Sequence, residues 1–149
     1  MAEQPVRKAL PGYRWEAVEL LAYKAEGAAP FKDVSRQRLF ASAELGCELR
    51  YFEVAAGGHS TLERHEHVHA VMILRGRGRC LVDAQVSVIG PHDLVHIPAW
   101  CWHQFRADAG EPLGFLCMVN AERDRPQLPT EDDLAALERD PQVADFLRS

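Results

Sequence analysis

From Ser35 onward, polar and apolar residues alternate in short runs. Arg36 to Ala41 and Glu48 to Val54 follow a period of two, with Leu39, Leu49, Tyr51 and Phe52 in the apolar set and Leu45-Gly46 as the turn between them. Alternation sends neighbouring side chains to opposite faces, so these runs predict half-buried strands. Ala55-Ala56-Gly57-Gly58 then punctuates the chain. Further short strands are expected at His69 to Leu74, Arg79 to Val82, Val86 to Ile89, Leu94 to Ile97, His103 to Ala107 and Gly114 to Val119. Many short strands, frequent turns and no intervening helix predict an all-β antiparallel sandwich or barrel.

The pattern changes at both ends. Pro5, Pro11, Gly12, Gly27 and Pro30 are mixed with Tyr13, Trp15 and Tyr23, which reads as an arm laying a few aromatics on a body. Within it, Glu16 to Lys24 fits a strand or a short helix. At the other end, Thr130-Glu131-Asp132-Asp133 is a capping sequence opening Leu134 to Leu137, and Asp140-Pro141 opens a last turn through Phe146-Leu147. The expected organisation is an N-terminal arm over residues 1–34, a barrel over 35–120, and a linker with a short helical tail over 121–149.

A chain of 149 residues is about one domain and can bury roughly two thirds of its unfolded surface. The net charge of −5 argues against a nucleic-acid or anionic-membrane partner. No stretch resembles a signal peptide and nowhere do about eighteen apolar residues run together, so a soluble cytoplasmic protein is expected. Cys47, Cys80, Cys101 and Cys117 form no C-x-x-C pair, and free thiols are the expectation.

Chemistry concentrates between Gly57 and Gly76, where His59, His65, His67 and His69 fall in one window. In an extended chain, Glu63, His65, His67 and His69 share a face, presenting three imidazoles and a carboxylate, a donor set suited to one first-row divalent metal (Fe, Mn, Ni, Cu or Zn). A further donor is offered by His103, behind the break at Pro98 that ends the apolar run Val95-His96-Ile97.

At these residues the sequence resembles the cupin superfamily. Its first motif reads Gly, five residues, His-x-His, three or four residues, Glu, six residues, Gly. Laid on this chain from Gly57, it puts Glu63 and His65 in the His-x-His positions, His69 in the Glu position and Gly76 at the end. The second motif reads Gly, five residues, Pro-x-Gly, two residues, His, three residues, Asn. This chain keeps Pro98 and His103, while His92, Trp100 and Ala107 replace the two glycines and the asparagine. The resemblance implies a jelly-roll barrel with one divalent metal inside, held by Glu63, His65, His69 and His103. A second registration keeps His65-x-His67 as the literal pair, with His69 third and His103 fourth. If Glu66-His67-Val68 is a turn, His67 points away and Glu63 binds; if the strand runs on, His67 binds. The spacing to Gly76 favours the turn.

Val71, Ile73 and Phe105, on the parity of the ligands, are expected to form an apolar inner wall, with Cys101 on the parity of His103. Cys117 reads as inert packing, His59 as a rim residue, and His92 and His96 as satisfied histidines outside the site. Arg75, Arg77 and Arg79 read as a solvated face. Among cupins such a centre supports dioxygenases, isomerases and lyases. The resemblance thus implies a metal-dependent enzyme acting on a small oxygenated molecule, most simply a dioxygenase, with Glu63 as general base where it does not bind the metal. A non-catalytic ligand-binding barrel is the competing class. Pairing through exposed strands predicts a homodimer.

Overall fold

The computed structural model describes residues 5–23 and 32–149. Of the arm expected over residues 1–34, residues 1–4 and 24–31 lie outside the described residues. The chain forms β1 (Ala9–Leu10), β2 (Arg14–Trp15), β3 (Leu21–Ala22), β4 (Lys32–Ser42), β5 (Cys47–His59) and β6 (His69–Arg75). Then come β7 (Gly78–Val82), β8 (Gln85–Ile89), β9 (Leu94–Ile97), β10 (His103–Ala107) and β11 (Leu113–Asn120), followed by two short helices, α1 (Glu131–Leu137) and α2 (Pro141–Arg148).

Every pairing is antiparallel, and one nine-stranded sheet runs β8-β7-β10-β5-β11-β6-β9, with β4 also on β5 and β3 on β4. The sheet curls into a half-barrel, in keeping with the antiparallel sandwich or barrel that the alternating pattern predicted. The curl depends on β5, which is longer than the sequence pattern suggested. Ala55 to Gly58 do not end it: the strand continues to His59, leaving β11 and reaching Arg106 on β10. Gly57, at a φ of +71°, makes the bend without a Cβ penalty and donates its N–H to Asp108 at 2.9 Å. Gly76 is required for a different reason, because a Cβ there would overlap the carbonyl oxygen of Pro112.

Buried apolar side chains gather in two clusters. The larger holds Phe52, Val54, Val71, Ile73, Phe105, Leu113, Phe115 and Cys117 between the walls of the half-barrel. Phe115 stacks on both Phe105 and Phe52, with ring centroids 4.4 and 5.7 Å apart. The smaller lies outside, where α2 lays Val143 and Phe146 on Leu62, Leu81 and Trp102. Both helices start as their sequences predicted. Thr130 and Asp133 form a reciprocal capping box, and Asp140 accepts from Gln142 N–H with Pro141 as the first helical residue.

The arm covers the outer face of β5. Tyr13 stacks on Tyr51 at 6.0 Å, Trp15 meets the same ring edge-on at 5.4 Å, and Gln37 Nε2 donates to the Tyr13 carbonyl at 2.8 Å. Tyr23 instead turns inward, edge-on against Phe52 of the larger cluster at 5.1 Å. Ala22, within the stretch left open between strand and helix, is strand, paired with Ser35 of β4. Among the described residues no helix is long and apolar enough to cross a membrane.

Candidate metal centre

Three histidines reach one point from three separate segments. His69 is the first residue of β6 and His103 the first of β10. His65 lies on the segment between β5 and β6, pinned beside β10 by an antiparallel bridge in which Glu63 and His103 exchange backbone hydrogen bonds of 3.2 and 3.0 Å. Trp100 N–H donates to the His65 carbonyl at 2.8 Å and fixes its other side. One ring nitrogen from each of His65, His69 and His103 then falls within 4.8 Å of the others.

The outer partners of the rings decide which nitrogen faces the centre. His65 Nδ1 lies 2.6 Å from the His67 carbonyl and His103 Nδ1 lies 3.0 Å from the Cys101 carbonyl. A carbonyl only accepts, so both rings carry their proton on Nδ1 and turn an Nε2 lone pair inward. His69 Nδ1 lies 2.8 Å from Cys117 Sγ, and its Nε2 faces His65 Nε2 at 3.1 Å. If His69 donates to the sulfur, three lone pairs converge, an arrangement that repels itself unless a cation sits among them. Burial holds all three rings neutral: His65 and His103 are each pushed down to about 4, and His69 lies well below the usual histidine range, burial first and the neighbouring His103 and His65 second. Neutral imidazoles oriented by outer partners in this way could hold a metal ion.

Glu63 lies beside this set. Its Oε1 is 4.0 Å from His103 Nε2, and its Oε2 is buried with no hydrogen-bond partner. Burial pushes the carboxyl up to about 7, against a smaller lowering by Arg50. His67 is turned elsewhere. Glu66 and His67 form a bend, and Asp124 clamps it by accepting from both backbone N–H groups, at 2.7 and 2.9 Å, and from His67 Nδ1 at 2.8 Å. Against a rise from burial, those N–H groups hold the Asp124 carboxyl well below the usual range. The His67 ring stacks flat on His65 at 3.6 Å and is not among the three convergent rings.

Val71, Ile73 and Phe105 are buried on the inner wall. Cys101 precedes β10, and what it gives the site is the carbonyl that orients His103. His59 is half-buried and bonds the Ser60 carbonyl, while His92 and His96 are exposed. Trp100 is exposed, and Trp102 is buried under α2. Trp100 and His92, standing where the motif has glycine, keep the left-handed conformation glycine would supply, at φ of 62° and 72°. A cleft of about 500 Å³ opens on the seam between β8 and β9, lined by Cys80, Val82, Ser87, Val95 and His96. His65, His69 and His103 do not line it, but Val82 pairs with His103 across β7 and β10, so it adjoins His103.

The chain as a whole is similar to known proteins. The profile of the family described as Cupin domain matches residues 50–119. A curated protein of Rhodospirillum rubrum, 1-methylthio-D-xylulose 5-phosphate methylsulfurylase, is 63% identical over 97% of this chain and 93% of its own length. The chain belongs to the cupin family. Two solved cupins place its barrel. A cupin 2 conserved barrel domain protein of Rhodopseudomonas palustris has 60% identity and a TM-score of 0.89 over 95% of this chain and 97% of that one. A cupin-2 domain protein of Rhodospirillum rubrum has 63% identity and a TM-score of 0.87 over 97% of both chains.

What sequence reading missed in this cupin is the set of outer partners. Cys117, read as inert packing, touches His69. The signal was strand parity: Cys117 pairs with Val71, two residues from His69, but that register becomes visible only once β11 lies beside β6. Removing the sulfur frees the His69 ring. Cys117→Ala is expected to weaken metal binding about 10- to 100-fold, the usual cost of losing such a partner, and Cys117→Ser to recover part of the loss. Competition with a chromophoric chelator measures both.

Proposed function

We propose that this cupin is a metal-dependent enzyme acting at the carbon–sulfur bond of a methylthio ketopentose phosphate, with His65, His69, His103 and Glu63 around one divalent ion. The observation that carries the substrate is the 63% identity, over 97% of this chain, to a protein named for 1-methylthio-D-xylulose 5-phosphate. The convergence of three neutral imidazoles supports the metal. When bound, the ion would polarise the ketone oxygen beside the scissile bond. An external thiol would take the methylthio group as a mixed disulfide, the electron pair of the broken carbon–sulfur bond would pass towards that oxygen, and the carbon would then take a proton.

The chain's own residues supply the rest. His65 and His103, locked by carbonyls, hold their geometry before any substrate arrives. Glu63, with an oxygen free of partners in a buried setting, is positioned to move a proton at the carbon that loses sulfur. Val71, Ile73 and Phe105 keep that wall apolar and exclude water.

The test is to incubate metal-loaded protein with 1-methylthio-D-xylulose 5-phosphate and a small thiol under anaerobic conditions, following the S-methyl proton signal. Replacement of that signal by that of a mixed methyl disulfide, without dioxygen, is the expected result. Oxygen chemistry on the same centre is the alternative, favoured by the three-histidine donor set. An unchanged methylthio sugar, together with dioxygen consumption on another substrate, would establish it instead. Absence of turnover and of bound metal would favour a ligand-binding barrel.

A homodimer belongs to the same proposal. Phe40, Met72, Leu94 and Met118 are exposed apolar side chains on β4, β6, β9 and β11, and a second copy would present the same strip to a two-fold contact. A single-chain mass by light scattering would remove it.

A further inference from the structure

The wall beside the histidines carries a cation that forms no ion pair among the described residues. Arg50, on β5, is only 5% exposed, and its register partner is Cys117. Its guanidinium lies over the Phe52 ring at 4.8 Å, and Nη2 reaches Cys117 Sγ at 3.8 Å. Its Nε is buried with no acceptor. The nearby carboxylates do not answer it. Glu48 is taken by Arg123 at 2.6 Å and Arg38 at 3.9 Å, Asp124 serves the bend at Glu66-His67, and Glu63 forms no ion pair with Arg50.

A second guanidinium stands alongside. The β4–β5 register pairs Arg38 with Arg50 and Arg36 with Phe52, so Arg36 is the diagonal neighbour of Arg50 on the same face, about 7–8 Å away by strand geometry. Arg36 lies over the Tyr23 ring at 5.6 Å, and its Nε is also buried and without an acceptor. Burying a guanidinium costs its hydration, and among the described residues no carboxylate forms an ion pair with Arg50 or Arg36; Glu63 and Glu48 act on Arg50 only across a longer distance. Two guanidinium groups on one face, over the adjoining rings of Tyr23 and Phe52, offer more donors than a carboxylate's two oxygens can use, whereas a phosphate monoester presents three oxygens and up to two charges.

We propose that Arg50 and Arg36 form an anion subsite that takes the phosphate of a phosphorylated sugar whose carbonyl end reaches the histidine centre. Arg50 touches Cys117 and Cys117 touches His69, so the subsite and the centre are separated by the reach of a small molecule. The choice of a sugar phosphate rests on the function proposed above; the anion subsite itself does not.

Calorimetry on metal-loaded protein tests it, comparing D-xylulose 5-phosphate with D-xylulose, neither of which carries the methylthio group. The phosphate ester should bind on the order of a hundredfold more tightly, the scale of buried charge-assisted hydrogen bonds. Arg36→Gln and Arg50→Lys should each cut that ratio about tenfold or more, while metal content and affinity for D-xylulose stay within about twofold. Arg50→Gln should abolish the ratio if the variant folds, and Arg36→Gln and Arg50→Lys decide the matter if it does not. A ratio near one in the wild type, or one preserved in these two variants, overturns the proposal. Inorganic phosphate probes the subsite without any sugar. A rise in melting temperature present in the wild type and lost in both variants upholds the subsite even if the methylthio sugar is not turned over.

Discussion

A variant with His69→Ala and His103→Ala is expected to carry under about a tenth of an equivalent of divalent metal where the wild type carries about one, by elemental analysis without chelator. The two residues supply separate corners of a three-ring site, so their loss leaves His65 alone with Glu63, and affinity for first-row ions depends on the number of converging neutral donors. The effect should be specific to metal. Both rings are held neutral by burial, so replacing them removes groups that resist protonation and leaves no charge stranded in the core.

The same burial sets the pH behaviour. His65 and His103 sit at about 4 in the fold against 6.5 in the free side chain. In the metal-free protein the unfolded chain therefore takes up protons first as pH falls, and stability contributed by these rings, complete above pH 6.5, declines between 6.5 and 4. Glu63 runs the opposite way. Its carboxyl is pushed up to about 7 from 4.5, so its contribution is complete below 4.5 and is lost as pH rises through 7. Bound metal needs neutral rings, and the fold keeps His65 and His103 neutral until about 4, so metal retention should hold through mildly acidic pH and fall as pH approaches 4. Dialysis at a series of pH values, followed by elemental analysis, checks it.

Phe146→Ala is expected to destabilise the protein by about 3–5 kcal/mol, the cost of removing a fully buried aromatic. Phe146 is wholly shielded from solvent and meets Leu62, Leu81, Trp102 and Val143. It also carries the guanidinium groups of Arg79 and Arg106 over its ring, at 5.4 and 5.2 Å. α2 has eight residues, too few to persist in water without its docking face. Its release also frees the carbonyls of Leu147 and Ser149 from Arg106. At roughly 2–4 °C per kcal/mol for a domain of this size, thermal unfolding should move down by about 10 °C. A shift of under about 2 °C would show that α2 clasps nothing.

Much of this fold was legible in the chain because each strand alternates. His69 to Leu74, Leu94 to Ile97 and His103 to Ala107 announce themselves, since one face of each must be apolar to be buried. The helix starts at Thr130 and Asp140 were equally plain, being local chemistry between near neighbours. The far end of β5 was not. Ala55 to Gly58 carry turn residues, and only the arrival of β10 makes Gly57 a bend within a strand.

Within the candidate site, the motif spacing brought His65, His69 and His103 to attention, and the fold brings their rings together. The alternatives for His67 could not be decided along the chain, because what turns that ring is Asp124, nearly sixty residues on. Arg50, Arg36 and Cys117 gave no signal for the same reason. An arginine in an alternating strand looks like a solvated residue until the register shows it facing inward across from a cysteine.

The sequence by itself determined the short strands, the capped helices and the histidines from which a metal centre could be built, since period, caps and donor type act over a few residues. Only the tertiary structure decided which nitrogen of each ring faces the centre, which carboxylate stays unpaired and which arginines are buried beside it. Those depend on carbonyls, sulfur and charges delivered by distant strands, and on the burial that makes each unpaired polar group costly.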